Sequence, residues 1–147
     1  MELGDEYFMK KALKLAEQAY EEDEVPIGAV LVWNNKIIAK GYNQSQRLND
    51  CTAHAEMLAL TAGFNAAGSS YLNDCTLYVT VEPCAMCAGA LKWSQLGKLV
   101  YGADEPKSGY AVYDPPLLHP KTKVQSGVLK DDCASLMKNF FRKKRES

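Results

Sequence analysis

Net charge is the first thing this sequence has little of. Seventeen Lys and Arg stand against eighteen Asp and Glu, leaving −1 at pH 7. Such a chain has no field of one sign around it, so wholesale attraction to nucleic acid or to an acidic membrane is excluded. Any contact of that kind has to come from a local patch. Long apolar runs are missing too. None approaches the ~20 residues that span a bilayer, so no membrane partner is expected. The N-terminus is charged and shows no apolar h-region, which argues against a secretory leader. Cysteine is sparse and odd in number, with five residues at positions 51, 75, 84, 87 and 133. That excludes a disulfide scaffold and points to a reducing, cytoplasmic compartment, where clustered cysteines bind metal or do chemistry. Histidine occurs only at His54 and His119. Internal repeats, low-complexity segments and linkers are absent.

What remains is an ordinary globular composition, 47% apolar and 24% charged. A chain of 147 residues suits one domain, 1–147, and can bury ~70% of the surface its unfolded form exposes. Phe8, Ala12, Leu15 or Ala16, and Ala19 recur at helical spacing and predict an amphipathic helix that ends near Glu21–Glu24. Ile27–Val32 and Lys36–Tyr42 read as strands joined at Asn34-Asn35, since Asn tolerates the left-handed backbone of a tight turn. Thr52 is placed to cap a helix reaching about Ala66. Thr76–Val81 reads as a buried strand, and Pro83 opens a helix to about Trp93. Lys98–Tyr101 is a further strand. The Pro- and Gly-containing stretch 102–123 is a candidate functional loop. Val124–Leu129 would be a weak last strand. Asp131 or Asp132 then caps a helix with Cys133, Leu136, Met137, Phe140 and Phe141 on one face. Alternating strands and helices predict an α/β fold, a three-layer α/β/α sandwich around a mixed sheet of about five strands.

Two segments carry chemistry: His54-Ala55-Glu56 and Pro83-Cys84-Ala85-Met86-Cys87, each at a predicted helix start. Two thiolates three residues apart share one face of a helical turn, where free amides favour the thiolate. An imidazole from a neighbouring helix completes three ligands, the number a catalytic zinc uses while keeping one position for water. Glu56 lies two residues past His54 and suits a proton shuttle. H-x-E followed by P-C-x-x-C is the known signature of zinc nucleobase deaminases.

The likeness goes beyond that signature. Val25–Val30, Asn43, Thr52–Glu56, Thr76–Cys84 and Cys87–Ala90 resemble bacterial tRNA-specific adenosine deaminases, as does the terminal Phe140-Phe141-Arg142-Lys143-Lys144-Arg145. The resemblance implies a cytidine deaminase-like fold and one zinc ion per subunit on His54, Cys84 and Cys87, with Glu56 as catalytic residue. It implies hydrolysis of adenosine to inosine at the wobble position of tRNA by zinc-activated water. Asn43 would meet the base and Ile27 would wall it. Lys107, Phe140, Lys144 and Arg145 are the candidates for RNA contact. The implied partners are the tRNA anticodon stem-loop and a second copy in a homodimer. Three departures stand out. Cys51 replaces a frequent proline, the stretch from Tyr110 to Pro120 differs, and the basic tail is short.

Other readings stay open. A deaminase of free guanine, cytosine or cytidine would carry the same zinc signature, and so would a non-catalytic zinc-stabilised RNA-binding module. Cys51 could join His54, Cys84 and Cys87 in a closed structural site. Cys84 and Cys87 could be a redox dithiol, which would leave His54 and Glu56 unexplained. Asn43 could simply cap a loop, and the Arg142–Arg145 run could be a solvated helix end. Tyr110 and Tyr113 could stack on bases or merely pack, and His119 reads as a loop or packing histidine. Cys75 and Cys133 read as small core hydrophobes.

Overall fold

The computed structural model describes residues 3–146. Helix α1 spans Asp5–Glu21 and buries Phe8, Met9, Ala12, Ala16 and Ala19, the stripe that three- and four-residue spacing turns to one side. Asp23, at φ 63°, turns the chain out of the helix. Strand β1 (Gly28–Trp33) and strand β2 (Lys36–Tyr42) follow as a hairpin. Its turn residues Asn34 and Asn35 have φ of 51° and 63°, the left-handed pair that matches strand twist. Then come α2 (Ala55–Ala67), β3 (Cys75–Val81), α3 (Ala85–Trp93), β4 (Lys98–Ala103), β5 (Lys123–Gln125) and α4 (Lys130–Glu146).

The five strands form one sheet in the order β2-β1-β3-β4-β5. β1 is antiparallel to both neighbours, while β3, β4 and β5 are mutually parallel. The sheet is therefore mixed, and β2 points the same way as β3. Strand alternation divides the core. Ala29 and Leu31 face α2 and α3 with Leu77, Val79 and Leu99, and Val30 and Val32 face α1 and α4 with Tyr78 and Val100. Cys75 and Cys133 are buried among these apolar side chains, as expected of small hydrophobes. Two glycines bring helices close to the sheet. A Cβ at Gly28 would overlap α1 at Ala12 and Ala16, and one at Gly41 would overlap α2 at Ala55 and Ala59.

Four boundaries differ from the sequence expectation. Asp50 Oδ1 accepts from Thr52 N–H at 2.8 Å and from its hydroxyl at 2.7 Å, so Thr52 closes a local turn. His54 takes the N-cap position of α2 instead. Pro83 lies one residue before Cys84, the N-cap of α3. β5 stops at Gln125 because Gly127 (φ 84°) and Leu129 (φ 54°) turn the chain into α4. Asp131 and Asp132 then sit inside the first turn of α4, not at its cap.

Candidate metal centre

β2 and β3 run in the same direction, so the segments leaving their C-terminal ends emerge on one edge of the sheet. One leads to the start of α2 and the other to the start of α3. Two helix N-termini are thereby brought together, and with them the two sequence motifs. His54 and Cys84 hold the N-cap positions with extended backbone, and Cys87 lies one turn into α3.

The side chains converge. His54 Nδ1 is 3.6 Å from Cys84 Sγ and 3.5 Å from Cys87 Sγ. All three ligand atoms lie within 4.8 Å of one another. A tetrahedral ion with Zn–N of ~2.0–2.1 Å and Zn–S of ~2.3 Å requires N···S edges of about 3.6 Å. The donor set and its spacing therefore fit zinc. Cys51 is exposed and lies outside the cluster, so the closed four-ligand arrangement is not formed.

Electrostatics follow from this crowding. Hydrogen bonds from Cys87 and His54 hold the Cys84 thiol down at about 3. Cys87 is displaced upward because it donates to Cys84, and burial adds to the effect. The His54 imidazole is shifted upward, chiefly by its hydrogen bond with Cys84. Glu56 is 3% exposed. Burial pushes its carboxyl up to about 7. Its Oε1 is buried and has no hydrogen-bond partner among the described residues. A carboxylate oxygen left without a partner beside a three-ligand cluster suits a water held between the two.

Asn43 is 5% exposed, and its Oδ1 accepts from Ala55 N–H at 2.8 Å. It therefore caps the start of α2 just past His54, and its Nδ2 is left as the donor group. Ile27 is half-buried against the cluster of side chains under α2 and α3. Lys107 is exposed in the loop after β4. Phe140 is only 6% exposed, with its ring edge-on to Tyr20 and Phe141, whereas Phe141 is 42% exposed. Lys144 is paired with Asp23 at 2.6 Å and lies over the Phe140 ring, and Arg145 is exposed. A groove of about 840 Å³ joins the end of α4 to the loop that precedes His54; it is lined by the acids Glu22, Asp23 and Glu24 as well as by Arg47, Phe141 and Lys144, and both cations are paired within it, Arg47 with Glu22 at 3.0 Å and Lys144 with Asp23. Phe141 and Arg47 as parts of one groove were not foreseen. Phe141 shared the apolar spacing of Phe140, and only the packing of α4 tells them apart.

This cluster on this fold defines a zinc deaminase. The family model of the cytidine and deoxycytidylate deaminase zinc-binding region matches residues 3–103, and the chain belongs to that family. Within it, the chain is similar to a group of tRNA-specific adenosine deaminases. It is 42% identical to the one from Agrobacterium fabrum over 95% of each chain. It is 43% identical to the one from Bacillus subtilis over 97% of this chain and 91% of that one. Among solved structures, a tRNA:A34 deaminase superposes with a TM-score of 0.83 at 40% identity, covering 88% of this chain and 98% of that one. A guanine deaminase from Bacillus subtilis gives a TM-score of 0.67 at 38% identity, covering 71% of this chain and 67% of that one.

Proposed function

We propose that the protein hydrolytically deaminates adenosine to inosine at the wobble position of a tRNA anticodon, with one zinc ion per subunit held by His54, Cys84 and Cys87. The observation that carries the reading is the three-ligand cluster beside the unpartnered Glu56 oxygen, on a chain similar over nearly its whole length to tRNA-specific adenosine deaminases. Zinc, when bound, acidifies a coordinated water and so supplies a nucleophile near neutral pH. Glu56 would take a proton from that water, and its unpartnered Oε1 supports the assignment. It would pass that proton to the ring nitrogen as the water oxygen bonds to the amine-bearing carbon; it would then take the second proton from the new hydroxyl and give it to the amine, which leaves as ammonia when the C–N bond breaks, so adenosine and water become inosine and ammonia. A carboxyl with one oxygen unpartnered can accept and release protons at the same point.

Asn43 Nδ2 offers a donor to the base, and Ile27 gives it an apolar wall. A base in a stacked loop cannot reach such a site, so the target nucleotide must be flipped out of the anticodon loop. The RNA would pass along the rim of the groove between α4 and the 43–54 loop, with Phe141 as the exposed ring for stacking and Lys107 and Arg145 for phosphate, while Arg47 and Lys144 would have to leave Glu22 and Asp23 to join them. Phe140, by contrast, acts as the packing anchor of α4. On α3, Met86 and Trp93 are seven residues apart and exposed, Trp93 by 83%. Their shared face suits a second copy of the chain, giving a homodimer with a soluble, cytoplasmic setting. Trp93→Glu should convert the dimer to monomer in analytical ultracentrifugation.

The rival reading is deamination of a free base, and the guanine deaminase likeness is what speaks for it. Competing an anticodon stem-loop against free adenosine, cytidine and guanine decides between them. The stem-loop should have the highest kcat/KM, and faster turnover of guanine would overturn the proposal.

A further inference from the structure

Two buried carboxylates outside the metal cluster are committed to backbone amides. Glu24 is 1% exposed; its Oε1 accepts from Gln46 N–H at 3.0 Å and its Oε2 from Arg47 N–H at 2.7 Å. Glu82 is 6% exposed; its Oε1 accepts from Glu105 N–H at 3.0 Å and its Oε2 from Ala111 N–H at 3.0 Å. Burying a carboxylate is costly, and charge-assisted bonds to amides are what offset it. Each carboxylate thus closes a loop that is distant in sequence.

Both loops adjoin the cluster. Residues 43–54 run from Asn43 to His54. Residues 104–112 return to the other motif, where Gly109 bridges to Cys84 and Tyr110 N–H donates to the Pro83 carbonyl at 2.9 Å. Gly109 has ordinary backbone angles, φ −68° and ψ 156°, so its conformation does not call for glycine. Space does: a Cβ there would overlap both the Glu82 carboxylate and the Glu105 carbonyl. The outer surfaces of the two loops carry Arg47, Leu48 and Lys107, all exposed, with Arg47 paired to Glu22 at 3.0 Å.

We propose that Glu24 and Glu82 are positioning residues, a pair of buried carboxylate clamps that hold the 43–54 and 104–112 loops in the shape that receives folded RNA. The proposal rests on the RNA reading above. Loops ordered in advance lose less freedom when the substrate docks, so the clamps act on binding more than on the chemical step. Gln is the informative replacement at both positions. It keeps volume and shape but sets an NH2 group against a backbone N–H.

In the zinc-loaded full chain, Glu24→Gln and Glu82→Gln should each raise KM for an anticodon stem-loop about tenfold, with zinc content unchanged and kcat within about twofold. Hydrogen exchange supplies a measurement that needs no variant. The amides of Gln46, Arg47, Glu105 and Ala111 should be protected in the wild-type protein although they lie in surface loops. Each Gln variant should then release its own pair alone. Rapid exchange of these four amides in the wild type overturns the proposal. So does an unmoved KM in both variants, or zinc loss with KM retained, which would place the carboxylates in the service of the metal. Failure of the RNA reading looks different: the wild type itself would not turn over the stem-loop.

Discussion

Glu56 is where folding and chemistry pull in opposite directions. Its carboxyl is buried, raised to about 7, and leaves Oε1 without a partner. An unsatisfied buried polar atom costs on the order of 1–3 kcal/mol. The carboxyl that carries this cost interacts with His54, Cys84 and Cys87, whose spacing fits zinc. Glu56→Gln keeps the shape and removes the proton carrier. It should lower kcat roughly a hundred- to ten-thousand-fold. Zinc content, measured by atomic emission on the purified variant, should not change. Undiminished turnover would refute the shuttle. The convergence of His54, Cys84 and Cys87 was readable in the sequence because metal ligation needs fixed residue types at fixed spacing, and both motifs sit at helix starts. Glu24 was not readable in the same way. It closes the acidic run Glu21–Glu24, and nothing local reveals that a loop more than twenty residues later returns to bury it.

Among the elements, the hairpin and most helices were legible from turn chemistry and periodicity. Asn34-Asn35 marks the hairpin by itself, and the α1 stripe needs only its spacing. The ends were less legible. α2 starts at Ala55 and not at Thr52 because Asp50 captures the Thr52 hydroxyl, a competition between two local bonds that the sequence leaves undecided. α4 makes a similar point. Phe140 and Phe141 are neighbours, yet one is anchored against Tyr20 and the other faces outward. Phe140→Ala should cost about 3 kcal/mol of stability in a denaturant titration. Phe141→Ala should leave stability within about 0.5 kcal/mol, as surface changes do, and weaken stem-loop binding. A reversed pattern would show that α4 packs differently.

Across the whole molecule, the near-zero net charge acquires a spatial meaning. The acidic end of α1 and the basic end of α4 are distant in sequence but meet through the Lys144–Asp23 pair. Lys143 lies over the Tyr20 ring. The basic tail is therefore partly neutralised by the protein itself and presents less free charge than its four cations suggest. Replacing Lys143, Lys144 and Arg145 together with Gln should weaken RNA affinity while reducing the slope of log affinity against log salt by about one charge, not three. An unchanged slope would mean that the tail does not touch phosphate.

The central claim is that the cluster of His54, Cys84, Cys87 and Glu56 acts on an adenosine presented by a tRNA anticodon. Nucleoside mass spectrometry of an anticodon stem-loop incubated with the zinc-loaded protein tests it most directly. The account predicts one inosine per stem-loop, located at the wobble position and absent with Glu56→Gln. An unmodified stem-loop, under conditions where the same preparation deaminates guanine, would contradict it.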